Sequence, residues 1–261
     1  MPTILVGTDL TEQSRSAIVR GVELVRASGG RLIVCHATAK SLPVNPLFPH
    51  ETGATIAAAT GNDHLIMDAV TQQVVDATGF TTFDVIVDIG EPPEIICAQA
   101  ANHRADLVIV SADRPGVGEV ARDLSTSPCS VLVVGPSIGD AAAIVTLESE
   151  VASVGQLATA IRAVLLRPVS KFLVIMWTDS EERKAPILAE LARTSLALGV
   201  PVEPWFADLT DPAALARVAR DPEIGVVALT APQPDRVVQG RASPLDDGLE
   251  GATASFLIIR R

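Results

Sequence analysis

Short runs of valine, isoleucine and leucine alternate with stretches of helical period from one end of the chain to the other. The first run, ILVGT at 4–8, has the length and branched content of a buried strand and stops at Asp9. Thr11 follows as an N-cap, and Ile18, Val22 and Val25 then recur on one face, which predicts a helix over 12–28. Gly29 and Gly30 end it as C′ glycines do. A strand is expected at 32–36. Residues 40–61, with Pro43, Pro46 and Pro49 among glycines and threonines, read as a long loop. Leu65, Ile66, Ala69, Val70 and Val74 form the apolar stripe of a helix over 62–78. A strand over 83–89 stops at Gly90, and Pro92-Pro93 open a helix bearing Ile95, Ile96 and Ala100. A strand at 107–110, a loop at 113–116, a short helix around 118–125 and a strand at 130–134 complete this half.

Regular alternation of this kind implies parallel strands joined by right-handed crossovers. Residues 135–140, GPSIGD, read as a linker, after which the same order returns. Strands are expected at 143–147, 172–177, 226–230 and 256–259, and a weaker one at 202–207, where Pro201 and Pro204 interrupt the donors. Helices are expected at 151–166, 181–198 and 211–220, the last with Asp211 as N-cap and Pro212 in its first turn. The two closing strands match in pattern, SPCSVLVVG against ATASFLIIR. The expected fold is therefore α/β: two tandem doubly wound domains, 1–137 and 141–261, each built on a five-stranded, mainly parallel sheet.

Composition agrees with this reading. A chain of 261 residues suits two domains, and 48% hydrophobic content supplies two cores. Tyrosine is absent and Trp177 and Trp205 are the only tryptophans, so the core is aliphatic, as a sheet covered on both faces requires. The net charge of −11 argues against nucleic-acid and anionic-membrane partners, which need a positive field. Cys35, Cys97 and Cys129 have no metal-ligand spacing and read as buried reduced thiols. The chain opens directly into its first strand, and no apolar run nears the roughly 20 residues that span a bilayer. A cytoplasmic location is expected.

The first half resembles the universal stress protein family over nearly its full length. The match rests on ILVGTDLTEQSRSAI, on a second strand ending in His36-Ala37, on IGEPPEIICAQAANHRADLVIVSA and on PCSVLVVGP. The second half resembles a diverged copy, by element order more than by identities. The resemblance implies a nucleotide α-hydrolase-like fold. It also implies that the fifth strands, 131–134 and 256–259, pair with each other inside this one chain, and it allows a homodimer of tandem chains.

Family members that hold a nucleotide carry G-x2-G-x9-G-[ST] after the fourth strand, where backbone amides cradle phosphate. Here the corresponding stretch, 111–127, is shorter. Gly116 and Gly118 are its only glycines, and no Gly-Ser or Gly-Thr pair follows. Gly116-Val117-Gly118 reads as a turn sooner than as a cradle. By resemblance, ATP or another adenine nucleotide would lie in the first domain. Asp9 and the backbone at Ala37 would face base or ribose, and Arg114, Gly116 and Gly118 would be left for phosphate. Asp9 also reads simply as a partner of the helix dipole, and the two readings stand side by side. In the second half Glu148 takes the place of Asp9, and the loop with Asp235, Asp246 and Asp247 would repel a triphosphate.

Other chemistry has less support. His36 could act as a base, but no nucleophile motif accompanies it. His50, His64 and Asp63 match no standard metal-ligand spacing. The chain has neither a G-x-G-x-x-G after its first strand nor a Walker A sequence. The functional expectation is a stress-response regulatory or binding protein that acts through assembly and a small ligand, with weak or no ATP binding. It leans away from an enzyme. An ATP-binding or ATP-hydrolysing protein with its site in the first domain, and a purely structural interaction domain, are the alternatives.

Overall fold

Ile4 to Thr8, the run that reads most clearly as a strand, is buried throughout and forms β1 (Thr3–Thr8). The computed structural model describes residues 1–38, 63–112, 120–121, 123–146, 148–177, 181–207, 214–230 and 252–260. They divide between two units: Met1–Ser111 with Thr126–Cys129, and Ala112–Ser125 with Ser130–Arg261.

In the first unit β1 lies between β2 (Arg31–Thr38) and β4 (Leu107–Ser111), and β3 (Asp84–Ile89) flanks β2, all parallel. The crossovers carry α1 (Arg15–Ser28), α2 (Asp63–Thr78) and α3 (Pro92–Asn102). Helix α1 buries Ile18, Val22 and Val25 as expected, and Gly29, at φ 67°, ends it by donating its N–H to the Val25 carbonyl. Gly21 sets how closely this helix approaches the sheet: a Cβ there would fall on the Val6 side chain and 3.3 Å from Leu32 Cδ1.

The second unit runs β5 (Ser130–Val134), β6 (Ala141–Val145), a 3-10 turn (Glu148–Ser153), α4 (Val154–Leu165), β7 (Phe172–Trp177) and α5 (Glu181–Leu198). It continues with β8 (Val202–Ala207), α6 (Ala214–Arg220), β9 (Ile224–Thr230) and β10 (Ser255–Ile259). The strand order is β5-β10-β9-β6-β7-β8. All pairs are parallel except β5 with β10, where Leu132 stands opposite Leu257. β8 holds Pro204 and takes the edge, where a missing donor is tolerated. The whole is an α/β fold with mainly parallel strands.

Several boundaries differ from the sequence reading. Helix α1 begins at Arg15, not residue 12, because Thr11 is bonded to Asp9 and does not cap the helix. β6 begins two residues before the expected run, since Ala141 and Ala142 pair with β9 and Ala142 also with Phe172 of β7. The helix expected over 151–166 starts as the 3-10 turn opened by Glu148 and becomes α-helical at Val154. Residues 135–140 are bonded into the second unit. Ser137 donates its N–H to the Thr253 carbonyl at 2.8 Å and its hydroxyl to the Ile224 carbonyl at 2.9 Å. Arg167 donates to the carbonyls of Ile138, at 3.1 Å, and Gly139, at 2.7 Å. The 40–61 loop, residues 118, 119 and 122 of the expected 118–125 helix, Asp211, Pro212 and the loop with Asp235, Asp246 and Asp247 lie outside the described residues.

Candidate functional site

A doubly wound sheet leaves its crevice at the C-terminal ends of the strands. β1 and β2 run in register with Thr8 opposite His36, so Asp9 and Ala37 both lie one step beyond that pair, at the same end of the sheet. Ala37 is half-buried and pairs with Asp88 of β3. Arg114, Gly116 and Gly118, the residues assigned to phosphate, lie outside the described residues. So the structure sets Asp9 and Ala37 at the same end of the sheet and does not describe the rest.

The turn from β1 into α1 is held by side chains. Leu10 adopts φ 64°, a left-handed conformation that costs a residue with a Cβ about 1–2 kcal/mol. Its N–H is held by Thr8 Oγ1 at 3.1 Å. Thr11 donates both its N–H, at 2.9 Å, and its hydroxyl, at 2.7 Å, to Oδ1 of Asp9. Asp9 reaches solvent, yet enough protein surrounds it for desolvation to push its carboxyl up. The hydrogen bonds of the Thr11 hydroxyl and amide outweigh that and hold it below the usual carboxylate value.

Behind this turn lies a ring of polar groups that the sequence reading missed. Thr8 Oγ1 donates to Gln73 Oε1 at 2.7 Å. Gln73 Nε2 donates to the Thr11 carbonyl at 2.8 Å and to Ser14 Oγ at 3.1 Å. The Thr8 and Ser14 hydroxyls are 2.9 Å apart, and Ser14 also reaches the Thr11 carbonyl at 2.9 Å. Counting protons fixes the directions. The Thr8 proton goes to Gln73, both amide protons go to Ser14 and Thr11, and the single Ser14 proton serves Thr8 or Thr11. Gln73 sits at a polar position of α2, and nothing in the sequence marks it out; only the packing of α2 beside α1 brings it here.

His36 is buried, and its Nδ1 lies 2.8 Å from the Thr8 carbonyl. A carbonyl only accepts, so Nδ1 carries the proton. That bond anchors the ring to β1. Across the sheet end, Asp88 accepts the Ile89 N–H at 2.8 Å on Oδ1 and Gln99 Nε2 at 2.9 Å on Oδ2.

Among the described residues no three His, Cys, Asp or Glu side chains are grouped to hold a metal ion. His50 of the weak metal candidate lies outside them. None of the three cysteines forms a disulfide. Burial, aided by Asp88, pushes the Cys35 thiol up to about 12, and burial raises Cys129 as well, which makes poor nucleophiles of both. Among the described residues no helix is long and apolar enough to cross a membrane.

Comparison with known proteins follows the same lines. No curated protein sequence matches the chain significantly. In structure it is similar to a universal stress protein from Archaeoglobus fulgidus DSM 4304, at 14% identity over 99% of this chain and 98% of that one, with a TM-score of 0.66. A functionally unknown protein from Pseudomonas aeruginosa PAO1 is similar over 100% of this chain and 92% of its own, at 16% identity and a TM-score of 0.54. A universal stress protein from Archaeoglobus fulgidus in complex with dAMP covers 51% of this chain and 97% of its own, at 17% identity and a TM-score of 0.35. At these identities the likeness is one of fold. The family model of the universal stress proteins, however, matches residues 1–135, more than half of the sequence, and the chain belongs to the universal stress protein family.

Proposed function

We propose that this chain is a cytoplasmic stress-response protein that works by binding and assembly and not by turnover. Its small-ligand site lies at the strand ends around Asp9 and Ala37, and its affinity for ATP is weak or nil. The observation that carries this reading is the ring of Thr8, Ser14 and Gln73. Their donors are spent on one another and on the loop backbone, which leaves the exposed, anionic Asp9 as an acceptor at the strand end. A carboxylate accepts from a base amine or a ribose hydroxyl but repels a phosphate chain. The shortened stretch with Gly116 and Gly118 as its only glycines supplies little to offset that repulsion.

The same arrangement disfavours catalysis. The Thr8 and Ser14 hydroxyls are tied to Gln73, and His36 turns its protonated nitrogen to a backbone carbonyl. The net charge of −11 opposes polyanionic partners, and we exclude nucleic acid and membrane from the proposal. The antiparallel meeting of β5 with β10 supports assembly by strand pairing within the chain. Native mass spectrometry of protein purified without added nucleotide tests the reading. Mass without ATP or ADP, or with a different small ligand, is the expected result; one ATP retained per chain through desalting would overturn it.

A further inference from the structure

The polar ring has a further consequence for Asp9. We propose that Gln73 is the positioning residue of the Asp9 turn: from α2 its amide fixes the Thr11 carbonyl, and Thr11 in turn fixes the Asp9 carboxylate through both of its donors. The links are short at every step. Gln73 Nε2 to Thr11 O is 2.8 Å, and the two Thr11 donors lie 2.9 and 2.7 Å from Asp9 Oδ1. The turn needs such a hold because Leu10, between Asp9 and Thr11, sits at φ 64°, a conformation that persists only where contacts over-determine it.

The chemistry at position 73 is restrictive. One end of the side chain must accept from Thr8 while the other donates twice, to Thr11 and Ser14. A primary amide does both; an ionised carboxylate donates nothing, and an ammonium accepts nothing. The reversed amide fails too, since it would set two acceptors, Gln73 Oε1 and the Thr11 carbonyl, against each other.

The ionisable groups on the surrounding elements are engaged elsewhere. His36 of β2 holds the Thr8 carbonyl, and Glu12 pairs with Arg15 at 2.9 Å. Arg15 also reaches the Asp76 carbonyl at 3.5 Å, and the Asp76 carboxylate accepts from Gln72 at 2.6 Å. Burial, which raises the Asp9 carboxyl, and the Thr11 bonds, which lower it, set its state with no neighbouring charge involved, and the Thr11 carbonyl is bonded to Gln73.

NMR of the full chain tests this without any ligand, so the fate of the nucleotide reading does not touch it. The carboxyl of Asp9 is titrated, and exchange of the Thr11 amide is followed, in the natural chain, Gln73→Met and Gln73→Glu. In Gln73→Met the Asp9 midpoint rises toward the ordinary value of about 3.9, and Thr11 exchanges at least about tenfold faster. The sign follows from linkage. The folded-state value of Asp9 lies below its unfolded value, so its stabilisation is present above the latter and lost as pH falls through the former. Less of it is left in Gln73→Met. In Gln73→Glu the Thr11 protection lost at pH 7 returns in part in mild acid, where a protonated carboxyl accepts from Thr8 and can give its single proton to the Thr11 carbonyl. A midpoint and an exchange rate unchanged in folded Gln73→Met would overturn the proposal. So would a Gln73→Glu chain whose Thr11 protection is the same at both pH values.

Discussion

Leu257→Pro unfolds the second unit, and Leu257→Ala destabilises it by about 2–5 kcal/mol. β10 is paired on both sides: Leu257 faces Leu132 of β5 on one side and Ala228 of β9 on the other, and it is 2% exposed. Proline removes the N–H of a strand that has neighbours along both edges, a position where it is essentially never found. Alanine keeps the backbone and removes only buried methyl and methylene groups, so it separates the packing loss from the pairing loss. Denaturant unfolding with amide exchange measures both. Leu257→Pro is expected to lose protection throughout the second unit, and Leu257→Ala to lose it chiefly in β5, β9 and β10. A Leu257→Pro chain with native protection in β10 would show that this pairing contributes little.

The second large effect is expected at Gly225→Ala. A Cβ at Gly225 would strike the Gly139 carbonyl oxygen, with Gly139 C at 2.9 Å and Arg167 Nη2 at 2.6 Å. The struck atom is backbone and is tied in place. Arg167 Nη2 donates to that same carbonyl at 2.7 Å, and Ala141 N–H bonds the Glu223 carbonyl at 3.0 Å. Relief would break the Arg167 bond or move β9, so a loss of about 2–3 kcal/mol is expected, at the upper end for overpacking. Gly199→Ala is the control. Gly199 has φ 67° but nothing within 4 Å of an added Cβ, so only the conformational cost of about 1–2 kcal/mol applies. Thermal midpoints of the two variants check the order; a smaller loss at Gly225 than at Gly199 would refute the close approach.

These two sites also show where the sequence was legible. The apolar runs that became β1, β7, β8 and β10 could be read because strands covered on both faces are continuously apolar and Pro204 marks an edge. The end of α1 could be read because Gly29 has one good structural use there. Its start could not. Asp9, Thr11 and Ser14 are all capping residues, and only the bonds from Thr11 to Asp9 decide that the helix waits until Arg15. The stretch 135–140 has the composition of a linker, yet Ser137 and Arg167 bond it to residues far along the chain. Local composition carries no trace of such bonds.

The site divided in the same way. Asp9 stands out because it ends an apolar strand, and Ala37 follows from the register of β2 against β1. Thr8, Ser14 and Gln73 are polar residues at unremarkable positions, and the ring they form exists only once α2 packs beside α1. Of the three cysteines expected to be buried, Cys35 is, with its thiol pushed up to about 12, while Cys97 and Cys129 are only half-buried.

Calorimetric titration of the full chain with Mg-ATP at physiological salt tests the central claim most directly, that Asp9 and its braced turn serve a binding module with little use for triphosphate. The expected result is a Kd of about 1 mM or weaker, a binding free energy near −4 kcal/mol, with no phosphate released over hours. A Kd in the low micromolar range, abolished by Gly116→Val, would contradict it.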